Sequence, residues 1–280
     1  MQPDFGTPSV ARMYDYLIGG RDNYPSDREA CAELLRIAPS TRELALINRA
    51  FLLRAARYLA AECGIKQFID HGSGLPTQPN VHQVVQEVHP DARVVYVDND
   101  PIVLGHGRMM LEEDTATTAV ILEDMRRTDA VFESDEVRRL IDFGQPVAAL
   151  FVSVLHCVPE KDDPWALVRD VARRLPSGSY LVVSQLASDD AQLRTDITQF
   201  MHAATGGNWG EVRSLAEVNR FFEGLELVEG DAPCEVSLWR PDSEIGPRQE
   251  TQEWVEYGGV ARVRRRCPID QAALVDQHTA

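Results

Sequence analysis

Five cysteines are scattered along the 280-residue chain (Cys31, Cys63, Cys157, Cys234, Cys267), odd in number and with no C-x-x-C pair. That spacing offers neither a disulfide framework nor a metal site, so reduced thiols and no metal are expected. No run approaches the ~20 consecutive apolar residues of a membrane span. The first six residues have neither the basic start nor the apolar core of a secretory signal, and a cytoplasmic protein is expected. Basic residues are also short: 28 Lys+Arg stand against 44 Asp+Glu, a net charge of −16. Binding along a phosphate backbone needs a basic face, so nucleic acid is not an expected partner. Internal repeats and low-complexity tracts are absent, which excludes a solenoid.

What is present suits a globular protein. Hydrophobic residues make up 44% and charged residues 26%, ordinary shares that support a full core and argue against disorder. The first sixty residues read as helices. Val10, Met13, Tyr14, Leu17 and Ile18 follow helical spacing after Ser9, and Gly19-Gly20 stops the run. Ser26 with Glu29, and Ser40 with Glu43, have capping-box spacing and open two further helices. From residue 66 short apolar runs alternate with helical patterns. Strands are expected at 66–70, 93–98, 118–123, 147–152 and 180–184, with helices at 81–88, 102–111, 135–142 and 165–175. Such alternation implies βαβ units and a parallel sheet covered by helices on both faces. Later helices follow at 193–204 and from the Ser214/Glu217 box. The runs 225–228, 235–239 and 259–263 read as closing edge strands that include an antiparallel hairpin. A basic run at 262–266 reads as an edge-strand guard.

Three strand ends carry the chemistry. The first runs Phe68-Ile69-Asp70-His71-Gly72-Ser73-Gly74, an apolar strand ending in an acid and a two-glycine turn. Glycines let backbone approach a ligand closely, and open α/β sheets bind ligands at such carboxyl ends. The second ends Tyr96-Val97-Asp98-Asn99-Asp100-Pro101, where Asp98 can accept both hydroxyls of a ribose. The third ends Leu122-Glu123-Asp124-Met125. There Asp124 can accept from an adenine amino group, while Met125 offers an apolar, polarisable face. A dinucleotide fingerprint would need a third glycine, but Thr77 stands there, and Asp70 would repel a pyrophosphate. The P-loop pattern is absent. S-adenosylmethionine (SAM), with its adenine, ribose, ammonium and sulfonium, matches these acids best. The fourth strand ends Ser153-Val154-Leu155-His156-Cys157, and His156, with an ordinary pKa near neutrality, is the candidate general base. Cys157 reads as buried filler.

Asp70-x-Gly72-x-Gly74 followed by Asp98 resembles the signature of class I SAM-dependent methyltransferases. More narrowly, the stretches PSVARMYDYLIGGRDNY (8–24), GLPT (74–77), YVDNDP (96–101), VLH (154–156) and YGGVA (257–261) resemble a bacterial S-adenosyl methyltransferase family long known only as a domain of unknown function. The resemblance spans nearly the whole chain. It implies a Rossmann-like, seven-stranded, mostly parallel sheet with an antiparallel last strand, and a SAM cofactor. His71 departs from the isoleucine or valine more usual there, implying a more polar wall beside the glycine turn.

The expected architecture is an α/β fold: an N-terminal helical cap over residues 1–63, integral to a SAM-binding domain over 64–280. Asp70, Gly72, Ser73, Gly74, Asp98, Asn99, Asp124, Met125 and Ser153 are the expected cofactor residues. Residues 12–24 read as a lid, with Tyr16, Gly20, Asn23 and Tyr24 reaching the cleft and Val10, Met13 and Leu17 docking on the core. Methyl transfer from SAM to a small molecule is the expected reaction. A SAM-binding protein without turnover and an NAD-dependent oxidoreductase are the rivals, the latter disfavoured by Asp70 and Thr77. Beyond a methyl acceptor, the expected partners extend at most to a second copy in a homodimer; no membrane contact is expected.

Overall fold

A computed structural model describes residues 5–111, 115–241 and 253–264. Three helices come first: α1 (Val10–Leu17), α2 (Pro25–Ile37) and α3 (Thr41–Ala61). Strands and helices then alternate through β1 (Gln67–His71), α4 (Val81–Gln86), β2 (Arg93–Asp98), α5 (Pro101–Leu111) and β3 (Thr118–Leu122). Helices α6 (Thr128–Glu133) and α7 (Asp135–Leu140) precede β4 (Ala148–Val152), followed by α8 (Pro164–Arg174), β5 (Tyr180–Ala187), α9 (Ala191–Ala204) and α10 (Leu215–Asn219). Two short pieces, β6 (Glu226–Leu227) and β7 (Cys234–Glu235), and the long β8 (Val255–Arg262) close the sheet.

The strand order is β3-β2-β1-β4-β5-β8-β6, with β7 also on β8. Strands β1 to β5 pair in parallel, while β8 runs antiparallel to β5, β6 and β7. Parallel strands covered on both faces read as unbroken apolar runs, and Val94, Val95 and Val97 are fully buried. Sequence order turns back between β1 and β4, the switch point where open α/β sheets leave a crevice at their carboxyl ends.

Several local expectations need correction. The expected seven-stranded path is present, and β7 adds an eighth strand beside it: the closing runs supply two separate two-residue pieces, and β6 and β7 each pair with β8 and not with each other. Strand β8 also begins at Val255, well before the expected 259. Helix α2 starts at Pro25, not after Ser26. The Asp27 carboxylate receives the Tyr24 amide at 2.8 Å, while the Ser26 hydroxyl donates to the Phe5 carbonyl. Ser40 precedes α3 but donates to Glu253 at 2.8 Å instead of capping. The Ser214/Glu217 box forms as expected. Cys267 and residues 265–266 of the basic run lie outside the described residues.

The cap helices share one core with the sheet. Met13 and Leu17 of α1, and Phe51, Ala55 and Leu59 of α3, pack in the same buried cluster as Val94, Leu150 and Val182. A buried ion pair ties α1 to α2: Arg12 Nε lies 2.9 Å from Asp27 Oδ2, with both side chains at most 2% exposed. Asp27 also accepts the Ser9 amide at 3.0 Å, and the Arg12 guanidinium donates to the Thr7 carbonyl at 2.6 Å. Multiple hydrogen bonds of this kind offset the cost of burying two charges.

Candidate active site

Beyond the carboxyl ends of β1 to β4 lies a cavity of about 640 Å³. Asp70, Gly72, Ser73, Gly74, Asp98, Asn99, Asp124, Met125, Ser153 and His156 all line it. Strand register brings the first acids together, since Asp70 pairs with Tyr96 across β1 and β2, two residues before Asp98.

The glycine turn is fastened to the second strand. Gly72 and Ser73 donate their amides to the Val97 carbonyl at 2.7 and 3.1 Å, and the Gly74 amide donates to Asp98 Oδ2 at 2.8 Å. The other Asp98 oxygen accepts the Asp100 amide at 2.9 Å. Gly72 has φ +72°, and a Cβ there would come 2.2 Å from Val154 Cγ2. Both the dihedral and the contact demand glycine. Burial raises the Asp98 carboxyl to about 6, against the pull of its backbone donors. Burial likewise raises Asp70 to about 7, although the Arg49 guanidinium opposes the shift. Both acids therefore gain from a ligand that brings hydrogen-bond donors or positive charge. Arg49 itself donates to the carbonyls of Thr77 and Pro79, fixing the loop that leaves the turn.

Asp124 sits where the third strand exits, but its carboxylate is occupied. Arg126 Nη2 lies 2.6 Å from it and Arg126 Nη1 lies 2.7 Å from Asp162. Burial would raise the Asp124 pKa, but the Arg126 hydrogen bonds and charge outweigh it and hold the carboxyl below its usual range. The Arg126 bridge joins the third strand exit to the loop after β4.

His156 is buried in the cavity wall, its ring stacked on Trp209 with centroids 4.6 Å apart. Burial, aided by the nearby Arg213 cation, lowers its pKa to about 3, so the imidazole stays neutral and weakly basic at neutral pH. Arg213 donates to the carbonyls of Leu155 and Val158 at 2.8 and 2.6 Å, bracing the loop that carries His156. His71 does not line the cavity. It is fully buried and stacked on Phe151 at 4.5 Å with an interplanar angle of 3°, and burial lowers it to about 3. The polar wall expected from His71 is thus a neutral ring in the core. Cys157 lines the cavity, and burial pushes its thiol up to about 12, which keeps it an inert filler.

The N-terminal segment does wall the cavity, but with other residues than expected. Ser9, Val10, Met13, Tyr14, Asp15 and Leu17 line it, whereas Tyr16, Gly20, Asn23 and Tyr24 do not. The same apolar face that was expected to dock on the core forms the wall. Tyr16 lies under the Arg42 guanidinium at 5.2 Å, and Tyr24 packs on Phe5 at 4.5 Å. Gly20 and Asn23 act through Asp15. The Asp15 carboxylate accepts the Asp22 amide at 2.9 Å and Asn23 Nδ2 at 2.8 Å, and a Cβ on Gly20 would lie 1.9 Å from it. The Ser9 hydroxyl donates to Asp100 at 2.8 Å, latching α1 to the exit of β2.

Sequence reasoning missed several wall residues. Tyr14 Oη donates to the Ala45 carbonyl at 3.0 Å and accepts from Asn48 Nδ2 at 3.1 Å, while Asn48 Oδ1 accepts from Ser184 at 2.6 Å. Glu256 was missed as well: Ser153, one of the expected residues, has an unusual φ of +55° and donates to the buried Glu256 carboxyl group at 2.7 Å. Non-glycine residues held at positive φ concentrate at functional sites. An acid directly before the tyrosine and two glycines of β8 was the available signal for Glu256.

A switch-point crevice, a glycine turn clamped by the acid of the next strand, and an antiparallel strand β8 define a Rossmann-like methyltransferase fold. The chain belongs to the S-adenosyl methyltransferase family, whose pattern it matches over residues 2–264. It is 38% identical to a candidate methyltransferase from Thermobifida fusca YX, with a TM-score of 0.86 over 94% of this chain and 97% of the other. A duf574 family protein from Streptomyces avermitilis MA-4680 is also 38% identical, with a TM-score of 0.84 over 92% and 98%. The chain has no match among curated proteins.

Proposed function

We propose that this protein binds SAM at the ends of β1 to β3 and transfers its methyl group to a small molecule held in the rest of the cavity. The carrying observation is the Asp98 carboxylate, half-buried at the cavity wall and joined to the Gly74 amide. The residues present fit the cofactor. Gly74 has φ +66° and nothing within 4 Å of the place a Cβ would take, so the turn is open for a ligand to approach. Asp98 is suited to ribose hydroxyls, and Asp70 to an ammonium. Met125 offers an apolar face to a base, and the Arg126-bound Asp124 remains able to accept from an adenine amino group. When bound, SAM supplies an electrophilic methyl group on a sulfonium.

The chain's own contribution is alignment and exclusion of water. Its N-terminal helix covers the cavity, and residues 5–63 serve as a cap built into the fold. His156 stands in the wall as a neutral ring stacked on Trp209. Methyl transfer needs chiefly in-line placement in a dry site, so such a wall suffices without a strong base.

A dinucleotide is the weaker fit. Helix α4 begins only at Val81, and the preceding loop is filled by its own contacts: the Thr77 amide donates to Asn80 Oδ1 at 2.9 Å, and the Asn80 amide to Gln83 Oε1 at 2.7 Å. A pyrophosphate would face Asp70 and Asp98 there instead of helix amides. The test is a thermal-shift and calorimetric titration of the full chain. SAM and S-adenosylhomocysteine should bind in the micromolar range, and NAD should not. Binding of NAD alone would sink the reading. Among the described residues no helix is long and apolar enough to cross a membrane, and a cytoplasmic enzyme, alone or as a homodimer, is the setting we infer.

A further inference from the structure

The cavity continues past the cofactor residues to the ends of β4, β5 and β8, and its wall changes character there. Trp209, Trp254, Met201 and Leu186 line this part, and Trp209 and Trp254 are at most 4% exposed. Into this apolar wall the chain sets one carboxyl group, that of Glu256, itself 1% exposed. Register places Glu256 opposite Leu186, on the face of the sheet covered by the cap helices. Ser153 holds one of its oxygens at 2.7 Å from a left-handed backbone conformation. Such strain persists only where surroundings impose it, and here it points a hydroxyl at the carboxyl group. A second feature also asks for a ligand. The buried indole N–H of Trp209 has no hydrogen-bond partner among the described residues.

Resting on the methyltransferase reading, we propose that this half is the acceptor pocket and that it takes a small organic amine. The ammonium is recognised by the Glu256 carboxylate, and an aromatic or aliphatic body lies against Trp209 and Trp254. Three considerations select an amine over other acceptors. A carboxyl group in an apolar wall is penalised when ionised, and burial raises Glu256 to about 8; an entering cation offsets that penalty. Indole faces attract cations through the ring quadrupole. Acids outnumber basic side chains along the whole cavity wall, so an anionic acceptor would be repelled on entry. Tyr14 and Asn48, on the same wall, leave room for polar contacts with an acceptor but offer it no fixed charge.

The probes are phenethylamine and phenethyl alcohol, which share a body and differ in the ammonium. Each is titrated by calorimetry into the full chain saturated with S-adenosylhomocysteine. The amine should bind at least tenfold tighter than the alcohol. In Glu256→Gln the preference should fall to within about twofold while S-adenosylhomocysteine affinity is unchanged. Equal binding of the two probes overturns the proposal, as does no binding of either at millimolar concentration. Retention of the preference in Glu256→Gln also overturns it. Loss of S-adenosylhomocysteine binding in that variant would assign Glu256 to the cofactor half, again overturning it. Should Glu256→Gln fail to fold, Ser153→Gly, which tolerates the left-handed backbone, must lower the preference at least threefold or the proposal falls. If the parent chain does not bind S-adenosylhomocysteine, the methyltransferase reading fails by itself. The two probes are then compared without it, and the amine preference stands or falls on that result.

Discussion

Asp98 joins two tasks in one carboxylate, and its replacement should show both. It accepts the Gly74 amide with one oxygen and the Asp100 amide with the other, so it shapes the turn as well as facing the cavity. Asp98→Ala should weaken SAM by about 1–3 kcal/mol, the cost of leaving ligand hydroxyls without a charged acceptor. Calorimetry with unchanged affinity would refute the ribose assignment. Gly72→Val should be harsher, because the side chain meets Val154 and the backbone sits at φ +72°. Binding should be lost, with part of the stability lost too, since the clash lies inside the protein and not only in ligand space. Full stability by circular dichroism in that variant would show that Val154 yields more easily than its position implies.

At the level of elements, the latch and the buried ion pair decide whether the cap stays closed. Asp27 receives Arg12, the Ser9 amide and the Tyr24 amide, so Asp27→Ala leaves a buried cation and two orphaned donors. Breaking one side of such a pair costs about 3–5 kcal/mol. Hydrogen exchange should quicken across α1 in this variant while β1 to β4 remain protected, and SAM affinity should fall with the loss of the wall. Unchanged protection of α1 would show that its apolar face alone holds it. That apolar face also marks how far the chain could be read in advance. Strands β1 to β5 were legible because burial on both faces writes continuous apolar runs, and the acids of β1 and β2 because they end those runs. Hydropathy does not separate a helix face packed on core from one lining a cavity, so the sequence points to Tyr16 and Asn23 for the wall where the structure has Tyr14. Glu256 was hidden for a similar reason. A lone acid in an apolar strand has the pattern of a strand boundary, so the sequence places the start of β8 after it, at 259 instead of Val255. Gly258 deepened the ambiguity; it is required because a Cβ would lie 1.9 Å from the Val183 carbonyl, not because the strand ends.

Across the whole molecule, buried titratable groups give stability a pH profile that the cofactor should reshape. Asp98, Asp70 and Glu256 are raised by burial to about 6, 7 and 8. The folded state therefore keeps protons that the unfolded chain releases near pH 4. The stability these groups contribute is complete below that pH and is lost as pH rises through 6 to 8. Cys31 and Cys157, pushed up to about 12 by burial, act in the same direction above the ordinary thiol range. His71 and His156, lowered to about 3, act oppositely. They favour the folded state above about pH 6.5, and this contribution is lost as pH falls from there toward 3. Above about pH 6.5 the histidine contribution is complete and only the carboxyl limb still changes, so the melting temperature without ligand should fall from about pH 7 to about pH 8, and further once the thiols of the unfolded chain ionise above about pH 8.5. Each carboxyl still protonated in the fold contributes up to about 1.4 kcal/mol per pH unit to that decline. S-adenosylhomocysteine retains the ammonium and ribose that favour ionised Asp70 and Asp98, so its affinity should rise over about pH 6 to 8 and the melting shift it causes should widen. Asp70→Asn should flatten both trends, since an amide neither titrates nor pairs with an ammonium. Thermal unfolding followed across this range with and without S-adenosylhomocysteine measures both slopes. A melting temperature that climbs steadily from pH 7 to 9 without ligand would mean that these carboxyls are already ionised in the fold, and the cavity would not be the dry site that methyl transfer requires.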